Sequence, residues 1–444
     1  MKNVLEYAKI FIVLIIFFVI SLTIAALIPT ENIKKNVEKS AAILSEEKEY
    51  YEKQYINKII KCDNYTDAIM INNAFSMDAK EPLYSALIVR RNYIPGVTIE
   101  ILPEEDGDPT RLVFETDNLT NVVNGDRIIA KEYAKYWHGY LIFLKPLLII
   151  FNYRQLRILQ LIILTILTAT LIYLIYKKIG ILQAIIVLLG LIIVDIQYIY
   201  MSLEYTPIFI LMLCSSIFLL IKYKKIKDEG KIFFVTGMLT CFFDFLTVPI
   251  ITLGIPLIIY FLLKQKEQKL SFKETILIIL KNSVIWLLGY ALTWITKFAL
   301  VDIIYHKNLI HTALKQVGHR TFDGTSVFEL NLIELFKLNF KENNIWIFAV
   351  FLIVQIIIGI LNKKSHKAKI DKTYLIKILP YLIISMMPIV WYLVLQEHSI
   401  RHAFFTYRAL SVFWIGIMIT ISYLNMIEKT EQEKKWYFQL YLQY

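Results

Sequence analysis

The stretch IFIVLIIFFVISLTIAALI at 10–28 runs for nineteen positions without a charged residue. A helix needs about 20 apolar residues to cross a hydrocarbon core of about 30 Å. Runs of the same character recur at 156–176, 181–194, 207–221, 276–296, 345–362, 374–395 and 409–425. The run 232–263 is too long for one crossing, and FDFLTVP places Asp244 and Pro249 near its middle. It reads as two short helices meeting in a tight hairpin, because proline and a charge both interrupt a membrane helix. Together these runs predict an all-α polytopic membrane protein of about ten transmembrane helices. Composition agrees: 57% of the 444 residues are hydrophobic and the mean hydropathy is +0.55, far above a soluble domain.

Lysine and arginine set the orientation, because cytoplasmic loops carry their excess. KYKKIKDEGK (222–231), KQKEQKLSFK (264–273), KKSHKAKIDK (363–372), EKTEQEKK (428–435) and the pair Lys177 and Lys178 all fall on one side of the alternation. The intervening DIQYIYMSLEYT (195–206) has no basic residue. This pattern predicts a cytoplasmic-membrane protein with both termini cytoplasmic. The formal net charge of +11 is then mostly anchoring at the inner face, and no nucleic-acid partner is needed. The first apolar run exceeds the 7–15 residues of a signal peptide and is expected to stay as an anchor. Cys214 and Cys241 fall in predicted spans and leave Cys62 alone outside, so no disulfide framework forms. Neither a CxxC nor a zinc spacing occurs.

The expected organisation is a first span at 1–28, a large extracytoplasmic loop of mixed structure at 29–140, and membrane helices 2 to 7 at 141–301. A second extracytoplasmic loop follows at 302–343, membrane helices 8 to 10 at 344–427, and a cytoplasmic tail at 428–444. Most of the titratable chemistry maps outside. Of seven histidines only His366 lies inside, while His138, His306, His311, His319, His398 and His402 lie at the outer side or its edge.

Asp63 and Asp67 stand in CDNYTDAIMINNAF. Asp63 or Thr66 suits the N-cap of the helix that follows, and a carboxylate held there also suits a general base. QEHSIRHAFFTYR (396–408) puts His398 and His402 on one helical face. That spacing suits a metal, but the HExxH glutamate is missing. Arg401 and Arg408 with the two histidines favour an anion site, since arginine forks match phosphate oxygens. Asp244 and Lys297 lie within or at the ends of apolar runs, where a charge marks either function or a solvated tip and snorkelling. Trp137 and His138 in YWHGY suit sugar stacking or interfacial anchoring. Glu104, Glu105, Asp106 and Asp108 read as a solvated acidic turn.

This layout resembles the GT-C superfamily, multi-span glycosyltransferases that use polyprenyl-phosphate sugars and include protein mannosyltransferases and lipid A aminoarabinose transferases. The resemblance is one of topology over most of the chain. It comprises a first span, a large loop with an early aspartate before a helix, then YWHGY, and NYRQLRILQLIILTILTATLIYLIY entering the second span. The matching positions are Asp63 before DAIM, Arg157, and the break at Asp244. The resemblance implies that Asp63 takes the proton from an acceptor hydroxyl, with Asp67 as the substitute. Where that family often has an acidic pair such as DE, this chain has Asp63-Asn64, which leaves a divalent cation optional and assigns no metal ligand.

The donor implied is a polyprenyl-phosphate sugar and the acceptor a glycan, lipid or cell-wall polymer, with inverting transfer at the bilayer surface. A leaving lipid phosphate needs cations, for which Arg408, Arg401, His402 and Lys297 are the candidates. Trp137, His138, Tyr140, His398 and Asp244 are the candidates for other substrate contacts. A polysaccharide polymerase or ligase would keep its large loop late in the chain. A lipid-linked glycan transporter or flippase would show an internal repeat and mid-membrane polar groups.

Overall fold

A computed structural model describes residues 2–55, 58–93, 114–125, 128–310, 332–363 and 372–425. His311, His319, His366, the acidic turn containing Glu104, Glu105, Asp106 and Asp108, and the tail 428–444 lie outside the described residues. The first apolar run forms α1 (Lys2–Ala26).

The first loop then builds α2 (Thr30–Glu47), β1 (Tyr50–Tyr55), β2 (Lys58–Asp63), α3 (Asn64–Ser76), α4 (Pro82–Leu87), β3 (Arg90–Tyr93), α5 (Glu115–Asn124), β4 (Ile129–Glu132) and α6 (Leu141–Leu147). Helix α2 is amphipathic: Ile33, Val37, Ala41 and Leu44 recur every three or four residues and are buried. Strands β1 and β2 pair antiparallel with Tyr50 opposite Asp63, and β3 pairs with β4 with Arg90 opposite Glu132.

Helix α7 (Tyr153–Lys178) opens on a reciprocal cap in which Asn152 accepts from the Gln155 N–H and Gln155 accepts from the Asn152 N–H. After it come α8 (Ile181–Ile193), a 3-10 turn (Ile196–Met201), α9 (Thr206–Lys222), α10 (Gly230–Phe243), α11 (Ile251–Glu267) and α12 (Phe272–Tyr305). The chain continues as α13 (Leu332–Lys341), α14 (Ile345–Lys363), α15 (Lys372–Ser385), α16 (Met387–Val394), α17 (Gln396–Arg401), α18 (Ala403–Thr406) and α19 (Ser411–Asn425). The 232–263 run is two helices, α10 and α11, broken from Asp244.

Among the described residues six helices are long and apolar enough to cross a bilayer: Val4–Ala26, Tyr153–Lys178, Thr206–Lys225, Phe272–Tyr305, Leu375–Val394 and Ala403–Leu424. The pair Leu332–Lys341 and Ile345–Ile360, bent by 80°, makes a seventh if taken as one span. By length and composition the described residues thus supply six to seven such helices, and the expected count of about ten is not confirmed. Helix α8 has 13 residues and α10 has 14; at 1.5 Å per residue each reaches only about 20 Å, short of the hydrocarbon core. Helix α11 buries Ile251 to Leu263 without a break, so its apolar residues face protein rather than lipid.

The turns between helices gather at two ends of the bundle. At one, Tyr7 donates to Asp228 at 3.0 Å, Lys231 pairs with Glu6, and Lys281 reaches Asp228 and Glu229 at 3.3 and 3.2 Å. There Lys178 also donates to the Leu220 carbonyl and Gln265 to that of Lys377. The lysine-rich turns at 177–178, 222–231 and 264–273 thus share an end. The first loop meets the turns at 195–206 and 396–408 at the other.

Helices α10 and α12 pack backbone to backbone. A Cβ on Gly237 would stand 2.1 Å from the Trp286 carbonyl oxygen, and one on Gly289 2.3 Å from that of Phe234. Small residues allow such close approach in membranes. Gly289→Val should therefore destabilise the protein by about 3 kcal/mol, the upper end of overpacking costs, read from denaturant unfolding in detergent.

Candidate functional site

Strand β2 delivers Asp63 to the N-terminus of α3, where it caps the helix. Its two oxygens accept from the Thr66 N–H and the Thr66 hydroxyl, both at 3.0 Å. The carboxyl is 4% exposed and is hydrogen-bonded to the side chain of Glu204, itself 5% exposed, in the turn before α9. Burial raises the pKa of Asp63, against the pull of Thr66, Glu204 and Lys61. Burial, then the charges of Asp63, Asp67 and Asp244, raises that of Glu204 well above the usual range. Glu204 Oε2 has no hydrogen-bond partner.

Arg408, 2% exposed, lies near the same turn. Its guanidinium lies 4.6 Å from the ring centroid of Tyr205 and 4.7 Å from that of Tyr407, and Nη1 donates to the Phe404 carbonyl at 3.3 Å. No carboxylate lies within ion-pair distance of it among the described residues. Tyr205 connects the two halves, because its hydroxyl feels the charges of Asp63, Glu204 and Arg408. The hairpin adds a second cation: the Lys61 ammonium sits 4.3 Å from the Tyr50 ring and 4.9 Å from the Phe404 ring. Asp63 and the 396–408 segment are thus brought together through Tyr205, Lys61, Tyr50 and Phe404.

The other members of that segment are engaged internally. Arg401 pairs with Glu397 at 2.6 Å across one helical turn. His402 stacks on Phe405, with centroids 5.1 Å apart, and lies 4.7 Å from His398. His398 Nε2 donates to the Leu246 carbonyl at 2.8 Å, tying α17 to the break between α10 and α11. Asp244 caps that break, accepting from the Thr247 N–H at 3.1 Å and from its hydroxyl. Its pKa is raised to about 6 by burial.

Asp67, one turn after Asp63, serves as a latch. It accepts from the Tyr153 hydroxyl at 2.5 Å, the Ser202 hydroxyl at 2.9 Å, and the Leu203 and Glu204 N–H groups at 3.0 and 3.1 Å. Burial raises its pKa to about 6 against these bonds. Arg157 completes the latch, donating to the Met201 carbonyl at 2.7 Å, to both Glu47 oxygens at 2.8 and 2.9 Å, to Asn64 Oδ1 at 3.1 Å and to Tyr153 at 2.7 Å.

The donor set around Asp63-Asn64 does not suit a divalent cation. Asn64 Oδ1 is taken by Arg157, and no group of three or more His, Cys, Asp or Glu among the described residues is arranged to hold a metal.

Lys297, Trp137, His138 and Tyr140 belong to a different joint, between the first loop and α12. Lys297 donates to the Leu87 carbonyl at 2.5 Å and lies 5.4 Å from the Trp137 ring. Trp137 donates to the Thr293 carbonyl at 2.9 Å and packs against Phe18 and Phe242. His138, in a left-handed conformation with φ 57°, donates from Nε2 to the Tyr133 carbonyl at 2.8 Å. Its Nδ1 accepts from Tyr140, which in turn accepts from Asn73. All four residues are at most 4% exposed. Burial, with the charge of Lys297, holds the His138 pKa down to about 3.

Glu204, Tyr205, Lys61 and Tyr50 are the site residues that the sequence patterns did not single out. The one available signal is the charge of Glu204 at the end of an apolar run, where it is costly to bury. A largely apolar groove of about 770 Å³ runs between α7 and α8, lined by Leu164, Thr168, Ile172, Ile185 and Leu188, with Tyr200 of the 3-10 turn among its walls. Tyr200 also packs against a small cluster formed by Met201 with Ile60 and Cys62 of β2, the strand that carries Asp63. No protein-family model, curated protein or solved structure matches this chain.

Removing one partner of a buried ion pair strands the other, so Arg157→Ala should cost about 3–5 kcal/mol in denaturant unfolding. His138 gives a pH dependence of known sign. It is neutral in the fold at about 3 but protonates near 6.5 when unfolded, so its contribution is present above 6.5 and is lost as pH falls toward 3. His138→Asn, which tolerates the left-handed backbone, should remove on the order of 2 kcal/mol of the acid-side loss between pH 7 and 5. Unfolding midpoints of both proteins across that range measure it.

Proposed function

We propose that this chain is a membrane glycosyltransferase that moves a sugar, with inversion, from a polyprenyl-phosphate donor to a hydroxyl of an extracytoplasmic glycan, lipid or cell-wall acceptor. The observation that carries this reading is the convergence of a buried carboxyl, Asp63, and a buried guanidinium without a carboxylate partner, Arg408, on one aromatic residue, Tyr205. Asp63 takes the proton of the attacking hydroxyl. Arg408, with Lys61 beside Phe404, receives the phosphate that leaves as the sugar–phosphate bond breaks. Arg401 and His402 precede Arg408 in the same segment, with Arg401 already bound to Glu397. The α7–α8 groove supports a lipid-linked donor, since its lining is largely apolar and one lining residue, Tyr200, packs on the cluster that Met201 forms with two residues of the strand bearing Asp63.

A lipid transporter would use the same groove but would have no need of an ionisable Asp63. Purified protein incubated with a panel of polyprenyl-phosphate sugars separates the two. Asp63→Asn should lower transfer by about 10²–10⁴-fold, the range of a lost general base. Arg408→Gln should lower it by about 10²–10³-fold, the range of a lost oxyanion partner. Undiminished turnover in Asp63→Asn would overturn the base assignment.

A further inference from the structure

Asp63 and Glu204 come from segments 141 positions apart, yet their carboxyl groups are hydrogen-bonded to each other and both are more than nine-tenths buried. A hydrogen bond between two carboxyl groups requires a proton on one of them, and two carboxylates in contact cannot both ionise. The surroundings say which one carries it. Asp63 accepts two hydrogen bonds from Thr66 and has the Lys61 ammonium near it, both of which favour its ionised form. Glu204 has neither: its Oε2 is without a partner and no lysine, arginine or histidine pairs with it among the described residues. Its charged neighbours are Asp63, Asp67 and Asp244, all acidic, and the Tyr50 and Tyr205 rings also face the pair. The backbone holds the geometry, since the Leu203 and Glu204 N–H groups both bind Asp67.

We infer that Glu204 is a positioning residue that stays protonated at neutral pH and donates its hydrogen bond to the Asp63 carboxylate, so that the pair holds one proton between them. Burial raises the pKa of both carboxyls, and it is the Thr66 and Lys61 contacts of Asp63, which Glu204 lacks, that tell them apart. The use of the pair in catalysis rests on the transferase reading; the sharing of the proton does not. In transfer, the acceptor oxygen bonds to the anomeric carbon, the bond from that carbon to the phosphate oxygen breaks, and the hydroxyl proton goes to Asp63. Both carboxyls are then neutral, and loss of one proton to solvent restores the pair.

Infrared spectroscopy of the full chain in lipid nanodiscs tests this without any assay of activity. At pH 8, where Asp67 and Asp244, at about 6, are ionised and Glu49, at about 7, is largely ionised, the wild type should keep a protonated-carboxyl band that is lost in Glu204→Gln. In Asp63→Asn the band should persist to a lower pH limit, because the neighbouring charge that protects the proton is gone. A wild type without the band at pH 8, or a band that survives in Glu204→Gln, overturns the assignment, and the wild-type measurement holds even if a variant does not fold. With the donor panel, Glu204→Gln should keep transfer within about threefold, because its amide still donates to Asp63, whereas Glu204→Leu should lose it. Equal loss in both variants overturns the donor role. The infrared result as expected with no transfer by the wild type would uphold the shared proton and remove the transferase reading alone.

Discussion

One guanidinium holds the first loop to the membrane helices. Arg157 has five N–H donors, and the structure engages all of them, on Met201, both oxygens of Glu47, Asn64 and Tyr153. Burying an arginine costs several kcal/mol unless each donor finds a partner, so these contacts stand or fall together. Tyr153 passes the connection to Asp67, and Asp67 binds the backbone of the turn at 202–204. The end of α2, the start of α3, helix α7 and the turn before α9 are therefore one unit. Asp63 directly precedes Asn64, and Glu204 directly follows Leu203. Their meeting is a consequence of the latch rather than of their own attraction.

The cations at this end of the bundle are satisfied in contrasting ways. Arg401 has a carboxylate, and Lys297 has the last carbonyl of α4 and the face of Trp137. Arg408 has two tyrosine rings and one carbonyl. Cation–π contacts contribute about 0.5–2 kcal/mol each, enough to help hold a guanidinium in place but not to neutralise its charge. An anion arriving beside Arg408 thus meets a charge still available to it. The acidic cluster is complementary: Asp63, Asp67, Glu204 and Asp244 are buried close enough to feel one another, and burial raises the pKa of each.

Much of the architecture was legible in residue order. The apolar runs became helices, the aspartate in FDFLTVP stands at the end of α10, and of the two N-cap candidates, Asp63 and Thr66, Asp63 is the cap. The number of crossings was less legible, because α8, α10 and α11 are as apolar as a span yet are short or wholly wrapped by protein. At 396–408 the spacing of Glu397 and Arg401 already contained their ion pair, and counting the segment as four cations overlooked it. Trp137, His138 and Tyr140 carry the composition of an interfacial belt, but their partners Thr293, Phe242 and Asn73 lie far away in the chain. Nothing local distinguishes a buried aromatic joint from a surface anchor.

By itself the sequence determined that the chain is a multi-pass helical membrane protein, and that polar residues concentrate in the first loop, since helix length and the cost of charge in hydrocarbon act locally. Only the tertiary structure decided which of two neighbouring aspartates is used up as a latch, that Arg401 rather than Arg408 pairs with a carboxylate among the described residues, and that Glu204 meets Asp63. The first and last of those outcomes depend on hydrogen-bond partners from distant segments. In a buried site the partner, not the residue type, sets whether a carboxyl or a guanidinium is free to act.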